Sequence, residues 1–339
     1  MQEINNNLNK KVLVSGIKPT GEIHFGNYFG AMRQNIELAN SNMYDSYIFI
    51  ANYHSLTTMY KRKEQLVENT FELVASYLAL GFDIEKSNLF LQSSVPEHTE
   101  LSNIFQNLVS MPYMMRAHAF KDAEAKDKEI NVGVFTYPIL MAADILMYNA
   151  DMVPVGADQK QHIEYARDIA GFFNRNYNVN YFKLPKDYIL DNVSIVPGID
   201  GEKMAKSKNN HIPVFCNEEE LRKKIMSIVT DSAKPEDPKN PDTNNIYNIH
   251  KYFLSKDENI LLRDRFSLAS NEAPYGYAEA KKDLLETILK FREGKYEKYL
   301  NLIKDKEKII SILSIGAKKA KTKAEVTMNG IRKITGLDF

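Results

Sequence analysis

The chain has 339 residues, with 44 Lys and Arg against 44 Asp and Glu, a single cysteine and no tryptophan beside 19 Tyr and 17 Phe. That length suits about two domains with full cores. The charge balance argues against a protein that coats nucleic acid, though not against one that grips it locally, and one cysteine excludes a disulfide framework and Cys-rich zinc sites. With no secretory leader and no apolar run of membrane-spanning length, the expected location is cytoplasmic, with no membrane partner.

In chain order, Met1 to Lys10 is Asn-rich and reads as a frayed lead-in. Val12, Leu13 and Val14 form a short apolar run broken at Ser15 and Gly16. From Gly26 an amphipathic stretch carries Tyr28, Phe29, Met32, Ile36 and Leu38. This is the pattern of strand, loop and helix. A helix that starts after such a loop offers unpaired N–H groups and the positive end of its dipole, a natural seat for phosphate. Neither G-x-G-x-x-G nor G-x-x-x-x-G-K-[ST] occurs; in their place stand Pro19-Thr20-Gly21 and His24-Phe25-Gly26-Asn27.

Tyr47 to Ala51 reads as a second buried strand, Glu64 to Leu80 as a helix with Gly81 just past its end, and Leu89 to Leu91 as a third strand. The alternation predicts an α/β fold, a doubly wound, Rossmann-like parallel sheet, whose ligands bind beyond the carboxyl ends of the strands. A helical insertion is expected over about 101–150. It starts with the Met-rich stretch Leu101 to Phe120, and the charged run Lys121 to Glu129 reads as a solvated face. Val132 to Tyr148 is strongly apolar with one charge, Asp144, and Pro138 suits the first turn of a helix there. Two readings of Asp144 stand: a structural carboxylate paired with a neighbouring group, or an acceptor for a donor on a bound ligand, with Met141 as apolar wall. Asp151 to Val155 is a further strand, ended by Gly156-Ala157-Asp158-Gln159, and a helix follows to Phe173.

Between a strand-like Val193 to Val196 and Asn209-Asn210 lies Pro197-Gly198-Ile-Asp200-Gly201-Glu-Lys203-Met-Ala-Lys206-Ser207-Lys208, which has the composition of a mobile basic loop. Its ammonium groups are either solvated or close on a departing pyrophosphate. From Ile212 onward the patterns are helical: Glu218 to Val229, Tyr247 to Leu254, Ala278 to Phe291 and Tyr296 to Leu313, with a Pro-, Asp- and Asn-rich linker from Ser232 to Asn245. The expected division is a sheet-based catalytic domain over 1–210 and an all-helical domain over 211–339, whose last helix is a candidate to pack back on the first. Lys318, Lys319, Lys321 and Lys323 form a basic turn that suits solvent or phosphates.

His24-Phe25-Gly26-Asn27 and Lys203-Met204-Ala205-Lys206-Ser207, in that order, resemble the two signatures of class I aminoacyl-tRNA synthetases. Met141-Ala-Ala-Asp144 and Val153-Pro-Val-Gly-Ala-Asp-Gln159 narrow the resemblance to the tryptophanyl-tRNA synthetases of the bacterial type. It runs from Ser15-Gly16-Ile17 through Val229-Thr230-Asp231-Ser232 and weakens toward the C-terminus. The resemblance implies an ATP-dependent ligase that activates L-tryptophan as its adenylate and passes it to the 2′-OH of tRNA(Trp), with Mg2+ bound to ATP and no protein metal site. It implies that His24, Asn27, Lys203, Lys206 and Ser207 carry catalysis. Lys18, Pro19, Thr20, Gly26, Asn27, Gly156, Ala157, Asp158, Val193, Met204, Ala205 and the loop cations would contact ATP, and Lys121 would add a phosphate contact. Asp144, Met141, Tyr137, Gln159, His54, Val153 and Val155 would surround tryptophan. The helical part would read the anticodon, and one tRNA would span a homodimer. Three departures stand out: Lys18 where Gln is usual, Ala157 for an acidic residue, and Ala205 for the first Ser of K-M-S-K-S. A tyrosyl-type synthetase and a non-charging, RNA-binding paralogue are the alternative readings.

Overall fold

Five strands, β1 (Lys11–Ile17), β2 (Tyr44–Ile50), β3 (Asn88–Leu91), β4 (Met152–Val155) and β5 (Lys186–Ile189), pair in parallel in the order β3-β2-β1-β4-β5. The reversal of order on the two sides of β1 makes the sheet doubly wound, as the alternating pattern predicts. The protein is described by a computed structural model over residues 10–117, 120–121, 131–155, 160–189, 195–268 and 275–338. It divides into two units, one made of Met1–Gly21, Gln34–Asp191 and Leu302–Phe339, the other of Glu22–Arg33 and Asn192–Asn301. The division does not follow a cut at 210/211, because compactness here groups the two signature segments with the helices after them.

In the sheet unit, the edge strand β5 was not legible in the sequence. Its four residues, Lys-Asp-Tyr-Ile, lack an apolar run, and pairing with β4 in the register Met152↔Lys186 to Val155↔Ile189 makes them a strand. Helices α1 (Asn52–Met59), α2 (Lys63–Ala79), α3 (Glu97–Gln106), α4 (Val132–Leu146) and α5 (Lys160–Asn176) alternate with the strands. Gly81, just past α2, takes φ +104, the left-handed conformation that ends a helix. The start expected for α4 at Pro138 is corrected: Asn131 caps the helix by accepting from Val134 N at 3.0 Å, so Pro138 lies inside it.

The helical pattern expected over Tyr296 to Leu313 is two helices, Lys295–Lys304 and α6 (Lys306–Thr335). Asp305 separates them and caps the second through Lys308 N at 3.0 Å. α6 packs against β3, the opposite edge of the sheet from β5. Small residues make the approach possible: a Cβ on Gly316 would stand 2.0 Å from the Leu89 carbonyl oxygen, and Ala320 and Ala324 are fully buried. An exposed strand edge invites pairing with other chains, and a helix laid against it removes that hazard.

The second unit buries an aromatic cluster. Phe25 and Phe29 each lie 4.9 Å from Phe253 edge to face, and Tyr28 lies 5.3 Å from Phe291. The apolar face of the stretch after Gly26 is thereby fixed against the helical segments of its own unit. Between Asn245–His250 and Tyr277–Arg292 runs a helix, Lys256–Ser267, that the sequence patterns did not announce. Its opening turn carries a capping box in which Ser255 and Glu258 exchange side-chain and backbone bonds.

Candidate active site

In the sheet unit a carboxylate is buried at the carboxyl ends of the strands. Asp144, on α4 and 1% exposed, accepts from His54 Nε2 at 2.7 Å and from His98 Nδ1 at 2.6 Å. Gln92 Nε2 lies 2.8 and 3.0 Å from its two oxygens. Gln92 Oε1 accepts from Tyr53 N at 3.2 Å, which sets the amide with its nitrogen toward the carboxylate. His98 Nε2 meets the Tyr148 hydroxyl at 2.8 Å. Burial first, and then the Asp144 charge, push the Tyr148 phenol well above its ordinary value. An ionised Asp144 only accepts, so the His98 Nδ1 that faces it carries a hydrogen. Burial pushes the Asp144 carboxyl up, but the hydrogen bonds from His54 and His98 outweigh it and hold the group below the usual carboxylate range.

Helical spacing sets Tyr137, Met141 and Asp144 on one face of α4, and Val153 and Val155 alternate inward on β4, both buried. His54 and Tyr137 line a cleft of about 560 Å³ together with Leu56, Thr57 and Leu140. Past β1, Lys18 Nζ donates to Thr57 Oγ1 at 3.3 Å, and burial lowers its pKa. Pro19 is buried, Thr20 is exposed, and Gly21 takes φ +91. Lys121 is exposed. Gly156, Ala157, Asp158, Gln159 and Val193 lie outside the described residues. Gln92, His98 and Tyr148 were missed in the sequence. Gln92 directly follows β3, so the rule that polar residues at strand ends line ligand sites could have found it. His98 and Tyr148 carry no such signal.

The second unit holds both signature segments. His24 caps the short helix Phe25–Asn27: its Nδ1 accepts from Asn27 N at 3.3 Å, and Asn27 Oδ1 accepts from His24 N at 3.3 Å. The ring is held down to about 4 by burial, then by His211 and Lys206. It is therefore neutral, and with Nδ1 accepting, the proton sits on Nε2. Asn27 is thus tied to the histidine, and Gly26 is the residue between them. Gly26 N donates to Met204 Sδ at 3.2 Å, and a Cβ there would stand 2.9 Å from the His24 ring and 3.1 Å from Met204 Cβ. The two signatures touch through a glycine that leaves no room for a side chain.

The loop from Pro197 to Asn210 is braced by one buried amide. Asn210 Oδ1 accepts from Ala205 N at 2.8 Å, and Nδ2 donates to Asp200 Oδ1 at 2.8 Å and to Lys203 O at 3.2 Å. Gly201 turns the loop at φ +84. Lys203 and Ser207 are exposed and Lys206 is half-buried. Lys208 pairs with Glu202. The hydroxyl that Ala205 lacks is at a position whose backbone N–H is already satisfied by Asn210, so the loop keeps its course without it.

The family model for class I tRNA synthetases (W and Y) matches residues 6–292. The tryptophan–tRNA ligase of Fusobacterium nucleatum is 49% identical over 324 residues, covering 96% of this chain and 97% of that protein. That of Rhodopirellula baltica is 42% identical over 325 residues, 96% and 99% of the two chains. Among solved structures, the tryptophanyl-tRNA synthetase of Campylobacter jejuni complexed with ADP and tryptophan superposes with a TM-score of 0.89 at 39% identity, over 96% of this chain and 99% of that one.

Proposed function

The chain belongs to the class I tRNA synthetases for tryptophan and tyrosine, as a tryptophan–tRNA ligase of the bacterial type, and we propose how its own residues carry that reaction. The tryptophan carboxylate attacks the α-phosphorus of ATP in line; the bond to the leaving pyrophosphate breaks and tryptophanyl-adenylate forms. The 2′-OH of tRNA(Trp) then attacks the acyl carbon and gives up its proton, the bond to the phosphate breaks, and AMP leaves as the tryptophanyl ester forms. No protein nucleophile is needed, so catalysis rests on positioning and on charge placed where it develops. The observation that carries this assignment is the Gly26–Met204 contact, which brings the His24 cap and the Lys203–Ser207 loop together within one unit.

In this reading, His24 donates a neutral Nε2–H to a phosphate oxygen, a role suited to a ring that stays uncharged at neutral pH. Lys203 and Lys206 stabilise the departing pyrophosphate, and Mg2+ arrives with the triphosphate. By resemblance, Lys18, Pro19, Thr20 and residues 156–158 contact ATP, and Val193 meets the adenine. Asp144 accepts the indole N–H, between Tyr137, Met141, Val153, Val155, Gln159 and His54. The indole N–H is a donor only, so the pocket that selects it needs a fixed acceptor. The helices after Ile212 bind the tRNA anticodon, and the working form is a cytoplasmic homodimer.

Pyrophosphate exchange with ATP, measured with tryptophan, tyrosine and phenylalanine in turn, tests the assignment. Tryptophan is expected to give by far the highest kcat/KM. Exchange that is fastest with tyrosine would keep the synthetase chemistry and overturn the choice of substrate.

A further inference from the structure

A carboxylate offers about four lone-pair positions, and in Asp144 all are taken: His54 on Oδ2, His98 on Oδ1 and Gln92 across both. The group is 1% exposed, so an incoming N–H reaches it only by replacing one of those donors. The three are not equal. Gln92 and His98 are fully buried, and each is held on its far side, Gln92 by Tyr53 N and His98 by Tyr148. The His54 side chain is 13% exposed and lines the 560 Å³ cleft, which gives its ring open space to turn into. Both remaining donors would stay in place if His54 left, so the carboxylate would keep its charge and its aim.

From this we infer that His54 is a displaceable stand-in for the indole N–H: it satisfies Asp144 while the pocket is empty and gives up its place on Oδ2 when tryptophan binds. The inference rests on the reading of Asp144 as the indole acceptor and adds a step to it. It makes His54 a positioning residue with a cost for the true ligand. Tryptophan binding exchanges one hydrogen bond to a charged group for another, whereas a ring of the same shape without N–H has nothing to offer Oδ2 and leaves His54 bonded there. Selectivity is then measured against an internal competitor, and removing the competitor sharpens it.

The test compares binding of tryptophan and of β-(3-benzothienyl)alanine, in which sulfur replaces the indole N–H, by calorimetry on the full-length wild-type, His54→Ala and His54→Gln proteins. His54→Ala is expected to raise the preference for tryptophan over the sulfur analogue by about tenfold, the scale of one hydrogen bond to a charged group. His54→Gln, which keeps a donor, is expected to return it toward the wild-type ratio. In wild-type protein carrying 15N-labelled histidine, the Nε2–H signal of His54 is expected to change with tryptophan and to persist with the analogue; this readout needs no variant to fold. An unchanged ratio in His54→Ala, or a His54 signal indifferent to bound tryptophan, would overturn the exchange while leaving the indole–Asp144 assignment standing. A wild-type protein that binds neither ligand would overturn that assignment and the inference with it.

Discussion

The Asp144 centre closes its hydrogen bonds side chain to side chain, whereas the Lys203–Ser207 loop is held mostly through its backbone, by Met204 N donating to Val196 O and by the Asn210 amide, which accepts from Ala205 N and donates to Lys203 O. The difference follows from where the charge sits. A buried carboxylate must have every lone pair answered from inside the protein, so His54, Gln92 and His98 are drawn from three separate segments around it. A loop whose cations act on a ligand needs its course fixed and its ammonium ends available, and Asn210 does the first while leaving Lys203 exposed. On the proposed reading, one centre discriminates and the other supplies charge. Substitutions in the two should separate affinity from rate.

The sharpest break is Asp144→Ala. It strands three donors in the interior, and a loss on the order of 3 kcal/mol of stability is expected, read by chemical denaturation, together with loss of tryptophan-dependent exchange. Unaltered stability and discrimination would mean that the carboxylate neither organises the centre nor meets the ligand. Next is Lys206→Ala, expected to slow adenylate formation by roughly 10²-fold with tryptophan affinity nearly unchanged, as for the loss of one preorganised donor. Weaker binding at an unchanged single-turnover rate would move Lys206 from the transition state to ground-state contact.

Asn210→Ala tests the bracing itself. Removing an amide that serves Ala205, Asp200 and Lys203 should cost about 1 to 2 kcal/mol and slow adenylation by about tenfold, through misplaced lysines and not through lost charge. The mildest effect is on pH dependence. Burial holds the His24 and His250 rings down to about 4 from an ordinary 6.5, so between those values the unfolded chain binds protons that the folded chain does not. Stability should therefore fall as pH drops through that window. Asp144, held below its ordinary range, adds its loss only at still lower pH. Denaturant midpoints at pH 7, 5.5 and 4.5 would check this, and His250→Gln should reduce the slope throughout that window. A flat profile in the wild type would mean that both rings titrate normally.

Much of this protein is written locally. The strands with an apolar run, the helical spacing of α2 and α5, the left-handed glycine after α2 and the two signature segments all depend on neighbours within a few residues, so periodicity and spacing suffice to read them. Asp144 stood out for the same reason, as the one charge in an apolar helix. What only tertiary structure decided is whatever depends on a partner far along the chain. β5 is a strand because β4 lies beside it, and Gly316 is needed because the Leu89 carbonyl comes within 2.0 Å of its missing Cβ. Gln92 and His98 became site residues only when folding set them against a carboxylate 52 and 46 positions away. A hydrogen bond between side chains leaves no period in the sequence, because its two ends are brought together by the packing of elements and not by the geometry of either one.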